Sequence, residues 1–126
     1  MKKIIILFTI LALSSCSMGK VDMAEAMKTA ENAMALISEK NYDELSKLFS
    51  YDFYESEPKE AREKKFEKII DVAGKLIEFH LTDSLRENNV ILKYAVKHAN
   101  TTTTETYTIV QEEGKYLISD INISNQ

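Results

Sequence analysis

The sequence contains little cysteine, proline or glycine. Its 126 residues include one cysteine, one proline, three glycines and no tryptophan. A single cysteine cannot form a disulfide within the chain, and it provides no cluster of thiols for a metal. Three glycines far apart in the sequence form no glycine-rich phosphate loop. The fold must therefore be held together by its hydrophobic core.

Basic residues and catalytic motifs are also scarce. Sixteen basic residues oppose 20 acidic ones, and no stretch combines Lys or Arg with interleaved aromatics, so nucleic acid is not an expected partner. The two histidines, His80 and His98, belong to different predicted strands and to no HxH or HExxH pattern. No GxSxG motif is present. The sequence predicts no metal, no cofactor and no catalytic residue, and hence a protein that is not an enzyme.

Long hydrophobic runs are absent as well, apart from one short run near the first residue. Residues 4–13, after Lys2 and Lys3, are apolar except for Thr9. Ten residues of helix span about 15 Å, half of a bilayer core of about 30 Å. A basic start, a short apolar run and then small residues are typical of a secretory signal peptide.

The run LSSC, residues 13–16, resembles the lipobox of bacterial lipoproteins. The resemblance implies cleavage before Cys16, a diacylglycerol on its sulfur and an acyl chain on the freed amine. We therefore expect a signal peptide over 1–15, a lipidated cysteine and tether over 16–21, and one domain over 22–126. The alternatives are an ordinary signal peptide with a chance cysteine, or a buried structural cysteine.

This interpretation predicts a location outside the cytoplasm. Without Lys2 and Lys3, 14 basic residues oppose 20 acidic ones, so the mature chain carries a formal side-chain charge of −6. That sign disfavours adhesion to anionic lipid, and membrane attachment is expected to depend on the acyl chains. The expected location is the periplasmic face of the outer membrane in a cell with two membranes, or the cell surface in a cell with one.

Three segments with apolar residues at helical spacing predict helices in the first half of the domain. Asp22 and Asn41 can cap the first two helices. The third is expected to open at residue 56 or 57, with Pro58 in its first turn, and to end at Gly74. The predicted buried stripes are Met23, Ala26, Met27, Ala30, Ala33, Met34 and Ile37; Leu45, Leu48 and Phe49; and Phe66, Ile69, Ile70 and Ala73.

From Lys75 onward apolar residues recur at every second position, and this alternation predicts four strands. In the last strand Tyr116 and Ile118 share one face, whereas the alternation places Ile121 and Ile123 on the other. A bulge or an edge is therefore expected near Ser119 and Asp120. Three helices followed by a four-stranded antiparallel meander define an α+β fold. The predicted inward residues are Ile77, Phe79 and Leu81; Val90, Leu92, Tyr94 and Val96; Tyr107 and Ile109; and Tyr116 and Ile118.

This layout, with AENAMALISEKNYDELSKLFS early and EEGKYLISDI near the end, resembles small extracytoplasmic members of the nuclear transport factor 2-like superfamily. The resemblance covers nearly all of the predicted domain and rests on pattern. It implies a cystatin-like cone of helices on a curved sheet, whose interior can be a ligand pocket, an active site or a filled core. The resemblance also implies a tryptophan in the last strand, and Tyr116 occupies that position in this sequence.

Six aromatic side chains are candidates for the wall or rim of that cone. The cluster over 51–54 is expected between the second and third helices, near the open end. Either Phe53 packs the helices against the sheet while the tyrosines lie at its edge, or the cluster is a recognition rim. The six candidates are Tyr51, Phe53, Tyr54, Phe79, Tyr94 and Tyr107.

The sequence favours a lipid-anchored, non-enzymatic module. Such a module would hold a small apolar or amphipathic ligand in the cone, or present its outer sheet face to an envelope protein or a second copy of itself. The alternative is an acid–base enzyme, for which His80, Tyr94, Tyr107 and Asp120 are the candidate residues. This alternative requires His80 or Tyr107 to be buried beside a carboxylate. His80 lies on the polar face of its predicted strand, so a solvated position is predicted for it instead.

Overall fold

The computed structural model describes residues 21–55 and 57–125. The predicted signal peptide, the cleavage site and Cys16 lie outside the described residues. Within them the fold is α+β, as predicted: three helices precede an open antiparallel sheet of strand order β1-β2-β3-β4. The elements are α1 (Met23–Glu39), α2 (Tyr42–Ser46), α3 (Lys59–Ala73), β1 (Leu76–Arg86), β2 (Val90–His98), β3 (Thr102–Glu112) and β4 (Lys115–Asn125).

Two of the three predicted helix starts are confirmed. The Asp22 carboxylate accepts hydrogen bonds from the backbone N–H groups of the second and third residues after it, and the Asn41 side chain caps α2 in the same way. The predicted start of α3 is wrong. Pro58 has an extended ψ of 154°, so it lies outside the first turn as the N-cap, and the helix begins at Lys59.

The core lies between the inner face of the sheet and α1. Ala26, Ala30 and Ala33 have no exposed surface, and these small side chains allow the helix axis to approach the strands closely. The inner faces of β2 and β3 are buried as predicted, including Leu92 and Ile109. Each large apolar side chain buried in this way contributes about 1.5–3 kcal/mol to folding.

Three register shifts, two in β1 and one at β4, determine which side chains of the edge strands face inward. The bulge predicted in β4 is confirmed: Ile109 pairs with Ile118 and Thr108 with Asp120, which leaves Ser119 without an opposite residue. The predicted inward position of Ile77 is wrong. A register shift between the first and third residues of β1 turns Ile77 outward, where it is 56% exposed.

The third buried stripe is confirmed only in part. Phe66, Ile70 and Ala73 are buried, whereas Ile69 is only half-buried and faces a groove described below. The second helix is short, and Phe49 after it pairs with Ile118 along the outer edge of β4. That pairing covers one edge of the sheet.

The sheet has two distinct ends. The β1–β2 and β3–β4 turns lie together beside Val21, and the N–H of Asp22 donates to the Tyr116 hydroxyl at 2.8 Å. We call this the hairpin end. At the opposite end, the β2–β3 turn meets the end of α3, where the Asn100 N–H donates to the Ala73 carbonyl at 2.8 Å. Among the described residues, no helix combines the length and apolar character needed to cross a membrane.

Candidate functional site

A cluster of polar side chains is buried on the inner face of the sheet, close to the end of α3. His98 is 4% exposed, Glu105 2%, Thr103 1% and Tyr107 0%. We call these four residues the buried quartet. His98 is the last residue of β2, and the other three alternate along β3 on its inward side. Ionisable groups are rarely buried to this extent unless they are paired.

Glu105 is the centre of the quartet. Its Oε1 accepts a hydrogen bond from the Tyr107 hydroxyl at 2.7 Å. Its Oε2 accepts one from the Thr103 hydroxyl at 2.8 Å and lies 3.1 Å from His98 Nε2. Three side chains therefore replace the water that the carboxylate loses on burial.

The backbone at the end of α3 fixes the proton on the other nitrogen of His98. Nδ1 lies 3.1 Å from the Gly74 carbonyl oxygen, which can only accept, so Nδ1 carries a proton. The hydrogen bond to Glu105 raises the pKa of His98, with a further contribution from the charge of that carboxylate, while burial opposes the shift. This direction favours an imidazolium that donates from both nitrogens and forms a buried ion pair with Glu105.

The tyrosines beside this pair are held in their neutral form. Burial raises the pKa of Tyr107 well above its ordinary value, and the nearby charge of Glu105 adds to the shift. Burial also raises the pKa of Tyr94, whose hydroxyl donates to Glu31 Oε2 at 3.0 Å. Tyr94 meets Tyr107 edge to face, with 6.1 Å between ring centroids. Both tyrosines serve as donors and not as bases.

A groove of about 420 Å³ opens beside the quartet at the end of the sheet opposite the hairpin end, and we call it the distal groove. One wall is the last part of α3, where Val72 is 73% exposed, and the other is the end of β4. Thr103 is one of the residues that line the groove, and its hydroxyl donates a hydrogen bond to Glu105. The lining residues are Lys68, Ile69, Val72, Ala73, Thr101, Thr103, Ile123, Ser124 and Asn125.

None of the six aromatic candidates lines the distal groove. Phe79, Tyr94 and Tyr107 lie in the core or pack against it. Phe53 is 1% exposed and stacks on Phe49 with 3.6 Å between ring centroids, whereas Tyr51 is 92% exposed.

The aromatic segment is held by a charged side chain from α3. The Arg62 guanidinium lies 4.5 Å from the Phe53 ring centroid and donates to Asp120 at 3.2 Å, so one cation joins the aromatic segment, α3 and β4. Tyr54 meets the same Phe53 ring edge to face. These contacts favour a packing role for Phe53.

Of the four candidates for acid–base chemistry, only Tyr94 and Tyr107 are brought together. His80 is exposed, as its parity predicted, and Asp120 is exposed and paired with Arg62. Tyr107 and Tyr94 are each buried beside a carboxylate, and those carboxylates, Glu105 and Glu31, were not among the candidates. Strand parity was the signal that could have found Glu105, since Glu105 lies two residues before Tyr107 and therefore on the same face of β3.

The described residues contain no group of three or more His, Cys, Asp or Glu side chains placed to hold a metal ion. Fold and site together define an α+β domain with an open antiparallel sheet, a buried His–Glu pair and a groove at one end. No protein-family model matches the chain, and neither does any curated protein sequence.

Proposed function

We propose that this chain is a lipid-anchored domain outside the cytoplasm that binds a small amphipathic molecule in the distal groove and performs no chemistry on it. The observation that carries the proposal is the groove itself. Its volume of about 420 Å³ lies in the range of small-molecule sites, about 300–1,000 Å³. Anchoring is supported by the LSSC run that ends at Cys16.

The lining of the groove indicates the chemistry of its ligand. Ile69, Val72 and Ile123 provide an apolar surface, whereas Thr101 and Asn125 provide hydrogen-bonding groups. Among the described residues that line the groove, Lys68 is the one charged residue and none is acidic. A hydrocarbon body with an anionic head matches this arrangement.

The non-enzymatic part of the proposal is supported by the state of the quartet. Every member is at most 4% exposed, and the Glu105 oxygens already accept bonds from their neighbours. A general acid or base must come within hydrogen-bonding reach of its substrate. Groups that satisfy one another in the core act instead as a polar part of that core.

The architecture agrees with the cone of the nuclear transport factor 2-like superfamily, and we propose membership of that superfamily on this basis. Three helices on a four-stranded antiparallel sheet support it. In this interpretation the cone is largely filled by Tyr94 and the quartet, and the ligand binds in the distal groove beside them.

Decanoate, an amphipathic anion, is a suitable probe for the groove. Titrated into the ¹⁵N-labelled domain, it is expected to shift the amide resonances of Val72, Thr103 and Ile123. Val72→Glu should weaken this binding several-fold, because it places a charged carboxylate in the apolar wall of the groove. Ile77→Glu is the matched control, since Ile77 is an exposed apolar residue outside the groove. Equal affinity in both variants, or shifts confined to another surface, would contradict the proposal.

One observation favours the acid–base enzyme as a second candidate: the Tyr107 hydroxyl donates to the Glu105 carboxylate at 2.7 Å, with His98 on the other oxygen. An enzyme would need solvent and substrate to reach His98. Diethyl pyrocarbonate, which acylates accessible imidazoles, is expected to modify the exposed His80 and to spare His98. Comparable modification of both histidines would favour the enzyme.

A further inference from the structure

The start of the described chain is fixed at the hairpin end. Val21 lines a hollow of about 490 Å³ together with Asn88 and Asn89 of the β1–β2 turn and Gly114 of the β3–β4 turn. The hydrogen bond from the Asp22 N–H to the Tyr116 hydroxyl joins α1 to the start of β4. The described chain therefore begins beside the two hairpin turns.

The chain length then limits where the domain can lie, if Cys16 carries the lipid as proposed above. Five peptide steps separate Cys16 from Val21, and they reach at most about 18 Å. Along β3, from Glu112 to Thr102, the sheet extends about 33 Å away from the hairpin end. The hairpin end thus stays close to the bilayer, whereas the distal groove can lie well above it.

A row of apolar side chains crosses the outer face of the sheet near the same end. Leu85 pairs with Ile91, and Val110 pairs with Leu117, so the row includes one residue from each strand. Ile91 lies between two buried residues, so it and its partner Leu85 face the uncovered side of the sheet. Val110 and Leu117 are adjacent in sequence to the buried Ile109 and Ile118 and share that outward side, and Leu85 is 50% exposed. Apolar side chains grouped on an uncovered face are typical of a surface that contacts a partner.

Charge at the hairpin end is net acidic and not basic. In the β1–β2 hairpin Arg86 precedes Glu87, and in the β3–β4 hairpin Glu112 and Glu113 precede Lys115. Contact with lipid at this end would therefore depend on the apolar row and on the anchor, and not on anionic headgroups.

We propose that the hairpin end is a membrane-facing surface, on which the row Leu85, Ile91, Val110 and Leu117 contacts the phospholipid bilayer and holds the distal groove facing away from it. This inference rests on the proposed lipid on Cys16. It deepens the proposed function, because the ligand then enters the groove from the aqueous side and not from the leaflet that holds the anchor.

Single cysteines can report this orientation, because the sulfur of Cys16 is blocked when it carries the lipid. The full chain, produced in bacteria with Asn88→Cys or Lys97→Cys, is reconstituted in phosphatidylcholine vesicles that contain a lipid with a nitroxide headgroup. A thiol-reactive fluorophore is attached at the new cysteine. Both positions are exposed, Asn88 at the hairpin end and Lys97 near the other end of β2. Quenching at Asn88 is expected to exceed quenching at Lys97 several-fold.

A second pair of cysteine variants allows the same comparison if one variant of the first pair folds poorly. Lys115→Cys at the hairpin end should behave like Asn88→Cys, and Lys75→Cys before β1 should behave like Lys97→Cys. Equal or reversed quenching in chains that float with the vesicles overturns the orientation and leaves the anchor in place. Chains that do not float with the vesicles overturn the proposed anchor and this inference with it.

Discussion

Glu105 is the residue on which the polar core depends. Its carboxylate meets His98, Thr103 and Tyr107, and it is 2% exposed. Replacing both partners of a buried ion pair by apolar residues is often neutral, but removing one partner leaves the other unpaired in the interior. The effect of one substitution at this position is therefore larger than the net contribution of the pair.

Glu105→Ala is expected to lower the free energy of unfolding by about 3–5 kcal/mol, because it removes one partner of a buried pair and leaves two hydroxyls without an acceptor. Urea unfolding followed by circular dichroism measures the change. Glu78→Ala is the matched control, since Glu78 is an exposed carboxylate on β1, and its change should stay within about 0.5 kcal/mol. Similar losses in the two variants would show that the quartet does not stabilise the core.

His98 makes the free energy of unfolding of the wild-type protein dependent on pH. Its folded-state pKa is raised above the ordinary value of 6.5, so its contribution is fully present below about pH 6.5 and is lost as the pH rises through the raised pKa. We expect the wild-type unfolding free energy to decline as the pH rises above about 6.5, and His98→Gln to lack the part of that decline that comes from the imidazolium. Parallel pH profiles of the two proteins would contradict the assignment.

At the scale of elements, two glycines mark places where backbone geometry excludes other residues. Gly74 ends α3 with φ of +88°, and Gly114 forms the β3–β4 turn with φ of +81°. A Cβ at Gly74 would lie 2.9 Å from the Cβ of Ala99, whereas a Cβ at Gly114 would meet nothing within 4 Å. The two sites share the unfavourable positive φ and differ in steric contact.

Gly114→Ala is therefore expected to cost about 1 kcal/mol, from the positive φ alone. Gly74→Ala should cost more, by about 1–3 kcal/mol, because the β2–β3 turn must also move. Such movement would shift the Gly74 carbonyl that holds His98. Thermal unfolding of both variants gives the comparison, and a Gly114 variant as unstable as the Gly74 variant would contradict the steric argument.

The strands show what periodicity can and cannot predict. Alternation located Tyr94, Tyr107 and Ile109 on the inner face because apolar side chains reveal which parity is buried. It did not reveal Glu105 or His98, because an ionisable residue in a strand ordinarily indicates solvent and its burial depends on partners from elsewhere in the fold. The two residues are paired only because a hairpin turn places β2 beside β3.

Helix boundaries and bulges show the same limit. The Asp22 and Asn41 caps were predictable because capping is local, whereas Pro58 could fit either the cap or the first turn. The outward position of Ile77 depends on the register of β1 against β2, which the local pattern does not contain. The distal groove depends on the packing of α3 against the ends of β3 and β4, so no single segment predicts it.

At the scale of the whole molecule, the two ends of the sheet have different roles in our account. The hairpin end contains the start of α1 and an apolar row, and the opposite end contains the groove and the buried quartet. A domain attached at one end and open at the other suits capture of a soluble ligand at a membrane surface. Both roles depend on whether Cys16 is the point of attachment.

The most direct test is the intact mass of the protein purified from the membranes of bacteria that express the full chain. Our account predicts a polypeptide that begins at Cys16 and carries a diacylglycerol in thioether linkage to its sulfur, and it predicts that Cys16→Ala abolishes both this cleavage and this modification. A mature chain that begins elsewhere, or that begins at Cys16 with a free thiol, would contradict it.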